Sequence, residues 1–240
     1  MEELLSGIVL GGVNYSENDK ILSIFTLEKG VVSAKIKGVK KAGAKLKFAA
    51  EPFCFAQFSF AKTGKNRTVT GASLIESFYP VREDIFKFFS AGTVLEFIKK
   101  FLKDGIVSEE LFYTVVDALK RIAYGDDCSE FILVSFLVKA LSLSGYALNF
   151  DGCLSCREDI SGRVFFDASM GGFFCEECRT QSAIEINPLT LRALQKVVSS
   201  DTLQKEECVK PLKLLDYYLL EKTDESLSSL KELIKLCNNI

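Results

Sequence analysis

The chain has 240 residues, 48% hydrophobic and 26% charged, with a formal net charge of −2 and no histidine. This is the composition of a globular protein with apolar material for one large or two ordinary domains. The missing histidine removes the commonest general base, the histidine-activated nucleophiles and the usual ligands of an open catalytic zinc, so a non-enzymatic protein is expected.

The opening MEELLSGIVLGG has no basic segment ahead of its short apolar run, and no later stretch approaches the ~18 apolar residues of a spanning helix. A cytosolic protein with no anchor and no membrane partner is expected. Charge is unevenly placed: residues 1–80 hold 11 Lys and Arg against 7 Asp and Glu, and residues 81–240 hold 19 against 25. Because salt limits the reach of surface charge to about 10 Å, a local basic field attracts polyanions whatever the distant surface carries. Nucleic acid is the expected partner of the N-terminal third.

From Ile8 to about Leu74 short β-rich runs alternate with turns, which predicts a small barrel or sandwich. Gly11-Gly12 lacks the Gly-Lys-Ser/Thr ending of a phosphate loop and reads as a strand-end turn. Lys35, Lys37, Lys40, Lys41, Lys45 and Lys47 then fall within thirteen residues without one acid. They predict a flexible cationic loop after a strand end, with Lys35 and Lys37 on one strand face. A solvated lysine-rich face is the bland alternative; phosphate contact is the functional one, because long point charges suit it. Along Phe53 to Phe60 the pattern puts Phe53 and Phe55 on one face and Cys54, Ala56, Phe58 and Phe60 on the other, which predicts a bulged or strongly coiled strand. These four rings are either core or base-stacking platforms of a single-strand binder. Lys62, Lys65 and Arg67 form a second cationic set in the turn that follows.

At Tyr79-Pro80-Val81 apolar residues switch to three- and four-residue spacing, so a helical domain begins near residue 81, giving units of 1–80 and 81–240. Ser108-Glu109-Glu110 reads as an N-cap with an acidic first turn, opening a helix to about Tyr124. Another helix is predicted from about Ser129 to Tyr146. Asn187-Pro188 opens the last group, with helices near Leu189–Ser199, Glu206–Glu221 and Ser226–Cys237.

Between the helices, at about 150–183, lies a cysteine insert. Cys153-x2-Cys156 is followed after eighteen residues by Cys175-x2-Cys178, the spacing of a zinc site made from two knuckles. Four thiolates saturate a tetrahedral ion and leave no position for water or substrate, so the predicted Zn2+ is structural. Reduced cysteines, redox dithiols and a rubredoxin-like iron are the other readings. Arg163–Phe166 and Gly172–Phe174 predict a strand pair joined by a turn through Ala168 to Gly171. Cys54, Cys128, Cys208 and Cys237 stand singly and are expected to be buried.

In order and spacing, GIVLGGVNYSENDKILSIFTLEKG, VVSAKIKGVKKAGAKLKF, AEPFCFAQFSF and LIESFYPVREDIFKF resemble the N-terminal half of the bacterial RecO family. CLSC, GGFFCEEC and the surrounding helices resemble its C-terminal half. The resemblance covers nearly the whole chain. It implies an α+β protein: an N-terminal OB-fold β-barrel that binds DNA, then an all-helical domain with the inserted four-cysteine module. It also implies a role in recombinational DNA repair with RecR, RecF and the single-stranded-DNA-binding protein, through strand annealing and loading of RecA, and hence a nucleoid location. Lys37, Lys40, Lys41, Lys45 and Lys47 match the region through which the family contacts single- and double-stranded DNA. RecO-like proteins often carry Arg where this chain has Lys, which keeps charge but changes phosphate geometry. Two other classes compete with this reading. A zinc-ribbon transcription regulator would carry a recognition helix rich in Arg or Asn, and a nucleic-acid-modifying enzyme would carry clustered carboxylates or an open metal site.

Overall fold

The structure is a computed structural model and describes residues 2–64, 66–102 and 106–238. Five strands, β1 (Glu2–Asn14), β2 (Lys20–Thr26), β3 (Gly30–Ile36), β4 (Phe55–Thr63) and β5 (Asn66–Glu76), close into a barrel in the order β1-β2-β3-β5-β4. β1 is long enough to serve two neighbours: Glu2 to Ile8 pair with β4, and Gly7 to Asn14 with β2. The register shifts between Val9 and Gly11. Gly11 therefore sits in a bulge inside β1, which bends the strand around the barrel, and not in the strand-end turn that the sequence suggests. Closure comes from a short parallel contact that sets Lys35 opposite Thr68 and Ile36 opposite Val69. This is the architecture of an OB fold.

Period-two alternation gives the barrel strands two cores to fill. Cys54, Ala56, Phe58 and Phe60 point into the barrel, while Phe53 and the half-buried Phe55 turn outward toward the helices. Register shifts at Phe55/Ala56 and at Ser59/Phe60 carry the coiling that the sequence pattern predicts. Phe53, Phe58 and Phe60 are 4%, 0% and 0% exposed. They have no free face, and Phe55 is held edge-on to Phe112 at 5.9 Å, so of the two readings of these rings, core or base-stacking platform, the core one holds.

Among the described residues six α-helices follow: α1 (Ile85–Phe101), α2 (Glu109–Tyr124), α3 (Ser129–Leu143), α4 (Pro188–Val198), α5 (Lys205–Thr223) and α6 (Ser228–Asn238). The starts of α1, α2 and α4 are set by short polar side chains that accept otherwise unpaired backbone N–H groups. Asp84 accepts from Phe86 and Lys87, Ser108 from Leu111, and Asn187 from Leu189 with Pro188 beside it. α3 stops at Leu143, short of the expected Tyr146. It is the central helix, with Phe131, Leu133, Val134, Phe136 and Leu137 buried around its circumference. The Phe112 ring of α2 lies 5.3 Å from Phe25 of β2, and Phe88 of α1 lies 6.0 Å from Phe53. The turn between β2 and β3 presses on the lead into α2: a Cβ on Gly30 would meet the Ile106 carbonyl oxygen at 2.1 Å. Barrel and helices thus share one continuous core, joined through the 3-10 turn Tyr79–Arg82. No helix of the described residues is long and apolar enough to cross a membrane.

The insert is a four-stranded sheet, β6 (Asn149–Cys153), β7 (Val164–Asp167), β8 (Gly172–Phe174) and β9 (Ile184–Ile186), in the order β6-β8-β7-β9. The predicted strand pair is β7 with β8. The flanking strands β6 and β9 carry no sequence signal of comparable length. One face of this sheet joins the helical core, with Phe166 5.9 Å from the Tyr218 ring of α5. The opposite face carries Phe165 and Phe174, which pack with Cys153 in a small separate core.

Candidate metal centre and nucleic-acid interface

The sheet brings the two knuckles to one point. Cys153 ends β6 and Cys156 lies in the turn after it; Cys175 follows β8 directly and Cys178 closes the next turn. The first turn is tied by the Arg157 N–H to the Cys153 carbonyl and by the Cys153 N–H to the Glu158 carbonyl, each at 2.9 Å. It needs glycine at its base: Gly152 has φ +93°, and a Cβ there would meet the Glu158 carbonyl oxygen at 2.6 Å. The Leu154 N–H donates to the Phe173 carbonyl at 2.8 Å and stitches the first knuckle onto β8.

All four sulfur atoms lie within 4.8 Å of one another. A tetrahedral ion with sulfur ligands at about 2.3 Å places them about 3.8 Å apart, so the cluster fits one metal ion with little movement. The thiols already share their protons unequally. Burial pushes Cys153 up, but the backbone N–H groups of Cys156, Cys175 and Ser155 outweigh it and hold the thiol down to about 6. The hydrogen bond with Cys175 pushes Cys178 up to about 12. A cation in the centre replaces those shared protons with charge.

The support around this centre was not legible as a motif. Asp167 is 1% exposed and sits at the end of β7. Its carboxylate accepts from the N–H and hydroxyl of Ser169, from the Met170 N–H, and from the hydroxyls of Thr180 and Ser182 beyond the second knuckle. Burial acts to raise its pKa, but these donors prevail and hold it well below the usual carboxylate range. Outside the sheet, the guanidiniums of Arg163 and Arg179 lie 5.3 and 5.1 Å from the Phe165 ring, and Arg163 pairs with Glu176 and Glu185. The solitary cysteines divide, with Cys54 and Cys208 buried and Cys128 and Cys237 half-buried.

The lysine segment after β3 is built differently. Lys37, Lys40, Lys41, Lys45 and Lys47 are all exposed, yet the backbone that carries them is ordered as a run of tight turns. The N–H groups of Lys41, Ala44 and Lys47 donate to the carbonyls of Gly38, Lys41 and Ala44. Val39 is 3% exposed and pins the loop to the barrel core, with Leu46 and Phe48 packed behind it. The start of the loop is tied to the turn between β1 and β2: the Gly38 N–H donates to Asp19 at 2.9 Å, and the Lys40 N–H to the Asn18 carbonyl at 3.1 Å. The flexible loop expected from glycine and lysine content is thus a hydrogen-bonded one.

The remaining cations have different environments. Lys35 lies on β3 and Lys37 beyond its end, so they do not share one strand face. The Lys35 ammonium is 2.9 Å from the Asp19 carboxylate, and Arg67 donates to Glu3 at 3.0 Å. The Gly38 N–H and then Lys35 hold the Asp19 carboxyl down to about 2. Lys62 is exposed at the far end of β4, opposite Arg67. Lys65 lies outside the described residues. Between these elements runs a groove of about 420 Å³ lined by Tyr15, Ile21, Ser33, Lys35, Asn66 and Arg67, among others.

Comparison with known proteins agrees with this arrangement over both parts of the chain. Family models described as "Recombination protein O N terminal" and "Recombination protein O C terminal" match residues 1–78 and 82–231. The chain belongs to the RecO family. Among RecO relatives, the DNA repair protein RecO of Rubrobacter xylanophilus is 31% identical over 197 residues, covering 80% of this chain and 79% of the relative. That of Desulforamulus reducens is 28% identical over 232 residues, covering 91% and 90%. The RecO of Caldicellulosiruptor saccharolyticus is 28% identical over 192 residues, covering 80% and 77%. Within this RecO-family chain, the barrel carries the lysine loop and the helical part carries the metal-binding cysteines.

Proposed function

We propose that the chain is a DNA-repair mediator that binds single- and double-stranded DNA through its barrel and catalyses no bond chemistry. Its task is to anneal complementary strands and, with RecR and RecF, to help RecA replace the single-stranded-DNA-binding protein. One observation carries the DNA reading: Lys37, Lys40, Lys41, Lys45 and Lys47 stand exposed on one acid-free loop, tethered to the rim of an OB barrel. Annealing asks for no more than a surface that offsets repulsion between two strands, while base pairing supplies specificity. Lysine ammoniums suit that task because they sense phosphate and do not read base edges. The cysteine cluster holds one Zn2+, with Cys153, Cys156, Cys175 and Cys178 as its four ligands. Four ligands complete the ion's shell, and its part is to fold the insert.

The test is binding of a labelled oligonucleotide at several salt concentrations. If about four lysines neutralise phosphates, log K for a single strand falls against log salt with a slope of roughly −3. A flat salt response overturns the reading. With Mg2+ and ATP, labelled single and double strands are expected to remain intact. Cleavage or nucleotide hydrolysis that co-purifies with the chain and disappears in an acidic-residue variant overturns the non-enzymatic assignment.

A further inference from the structure

With the barrel phenylalanines buried or half-buried, Tyr15 is the one exposed aromatic ring of the barrel among the described residues, at 60% exposure. It opens the turn that leads from β1 to β2, where its N–H donates to the Asp19 carbonyl at 3.1 Å. That same turn receives the lysine loop, through the bonds from Gly38 to Asp19 and from Lys40 to Asn18. Tyr15 also lines the groove that continues past Lys35 to Asn66 and Arg67 on β5. The ring is held in place from one side: the Lys35 ammonium lies 4.4 Å from its centroid, and Asp19 fixes that ammonium at 2.9 Å. A cation against one face of a ring orients it, while the residue as a whole stays exposed.

We propose that Tyr15 is a stacking platform for one unpaired base of a single strand whose phosphates lie on the lysine loop. The proposal rests on the DNA-binding reading above and adds to it a preference for single strands. Stacking needs a ring face and an unstacked base. It is indifferent to sequence, and a duplex, whose bases are already stacked, cannot use it. The cation beneath Tyr15 is already paired with Asp19, so removing the ring takes no charge from the loop.

The test compares a twenty-residue oligothymidylate with an oligomer of equal length whose central sugars are abasic, so that phosphate number is constant. The wild-type chain is expected to bind the thymidylate at least about fivefold more tightly, the low end of what one stacked base contributes. Tyr15→Leu should abolish that preference while leaving the salt slope and duplex affinity unchanged; Tyr15→Phe should keep it. A wild-type chain that binds both oligomers equally overturns the proposal, as does a Tyr15→Leu variant that retains the preference. An equal loss on single strand, abasic strand and duplex shows that Tyr15 only positions Lys35, and also overturns it. The broader reading fails separately. If Lys40→Ala with Lys41→Ala weakens binding but Tyr15→Leu does not, the loop stands as the DNA site and only the stacking is wrong; if neither changes affinity, both fall.

Discussion

The lysine loop and the cysteine module are both excursions from β-strands, and they are held in opposite ways. The module's four thiols converge within 4.8 Å, and the buried residues of the small core beside them are Cys153, Phe165 and Phe174. Its turns stay together because their side chains share a centre. In the loop the five exposed lysines point away from the protein, and order comes from backbone bonds to the β1–β2 turn and from Val39 in the barrel core. A structure built by its functional side chains loses its shape when they are removed. A structure that only displays them loses function alone.

Three perturbations sharpen that contrast, beginning with the largest. If the proposed zinc organises the insert, Cys175→Ser removes one of its four ligands and with it the ion. A loss of about 3 kcal/mol is expected, which lowers the melting temperature by roughly 6–12 °C in a chain of this size, with the DNA salt slope unchanged. Elemental analysis should give about one zinc per wild-type chain. Less than about 0.2 zinc, with four freely titrating thiols, would mean that the module is held without metal and that the contrast is false.

Replacing Lys40 and Lys41 by Ala should do the reverse. The magnitude of the single-strand salt slope falls by about 1–1.5, from roughly 0.7 counterions released per contact. Melting temperature should move by less than about 2 °C, since exposed side chains on an intact backbone contribute little to stability. A large drop in stability with no change of slope would return the loop to a structural role.

The smallest effect concerns Asp19, which ties the loop to the barrel rim. Its carboxyl is held down from 3.8 to about 2, first by the Gly38 N–H and then by Lys35. A depressed carboxylate pKa stabilises the folded state above the unfolded value and loses that contribution as pH falls through the folded one. Melting curves of the wild type and Asp19→Asn should therefore differ above about pH 4 and converge as the pH approaches 2. Curves separated equally at every pH would show that the carboxylate's charge plays no part.

What could be read from the residues follows the same division. The two Cys-x-x-Cys pairs were legible because ligands of one ion must recur at turn spacing, and the helix starts at Ser108 and Asn187 because a capping side chain lies next to the N–H groups it serves. Cation–anion pairings were not. Lys35 and Arg67 counted with the other cations in the sequence, but their partners Asp19 and Glu3 lie far away along the chain and meet them only when the barrel closes. The phenylalanines from Phe53 to Phe60 stayed open between core and stacking for a related reason: alternation shows that they face two sides, but not that both sides are covered. Asp167 was invisible for the same cause, since its hydroxyl donors Thr180 and Ser182 are brought to it by the folded second knuckle.

Phe53, just ahead of β4, and Phe55, its first residue, pack into the core shared with the helices, while Phe58 and Phe60 of the same strand fill the barrel, so the barrel cannot rock against the helices without withdrawing Phe53 and Phe55 from that shared core. Opening it costs on the order of 3 kcal/mol for each large ring removed, whereas bending a linker costs far less. The lysine loop and the cysteine module should therefore tumble together as one body, and tension on a strand gripped at the barrel rim would be passed to the helices as torque without being absorbed at a hinge.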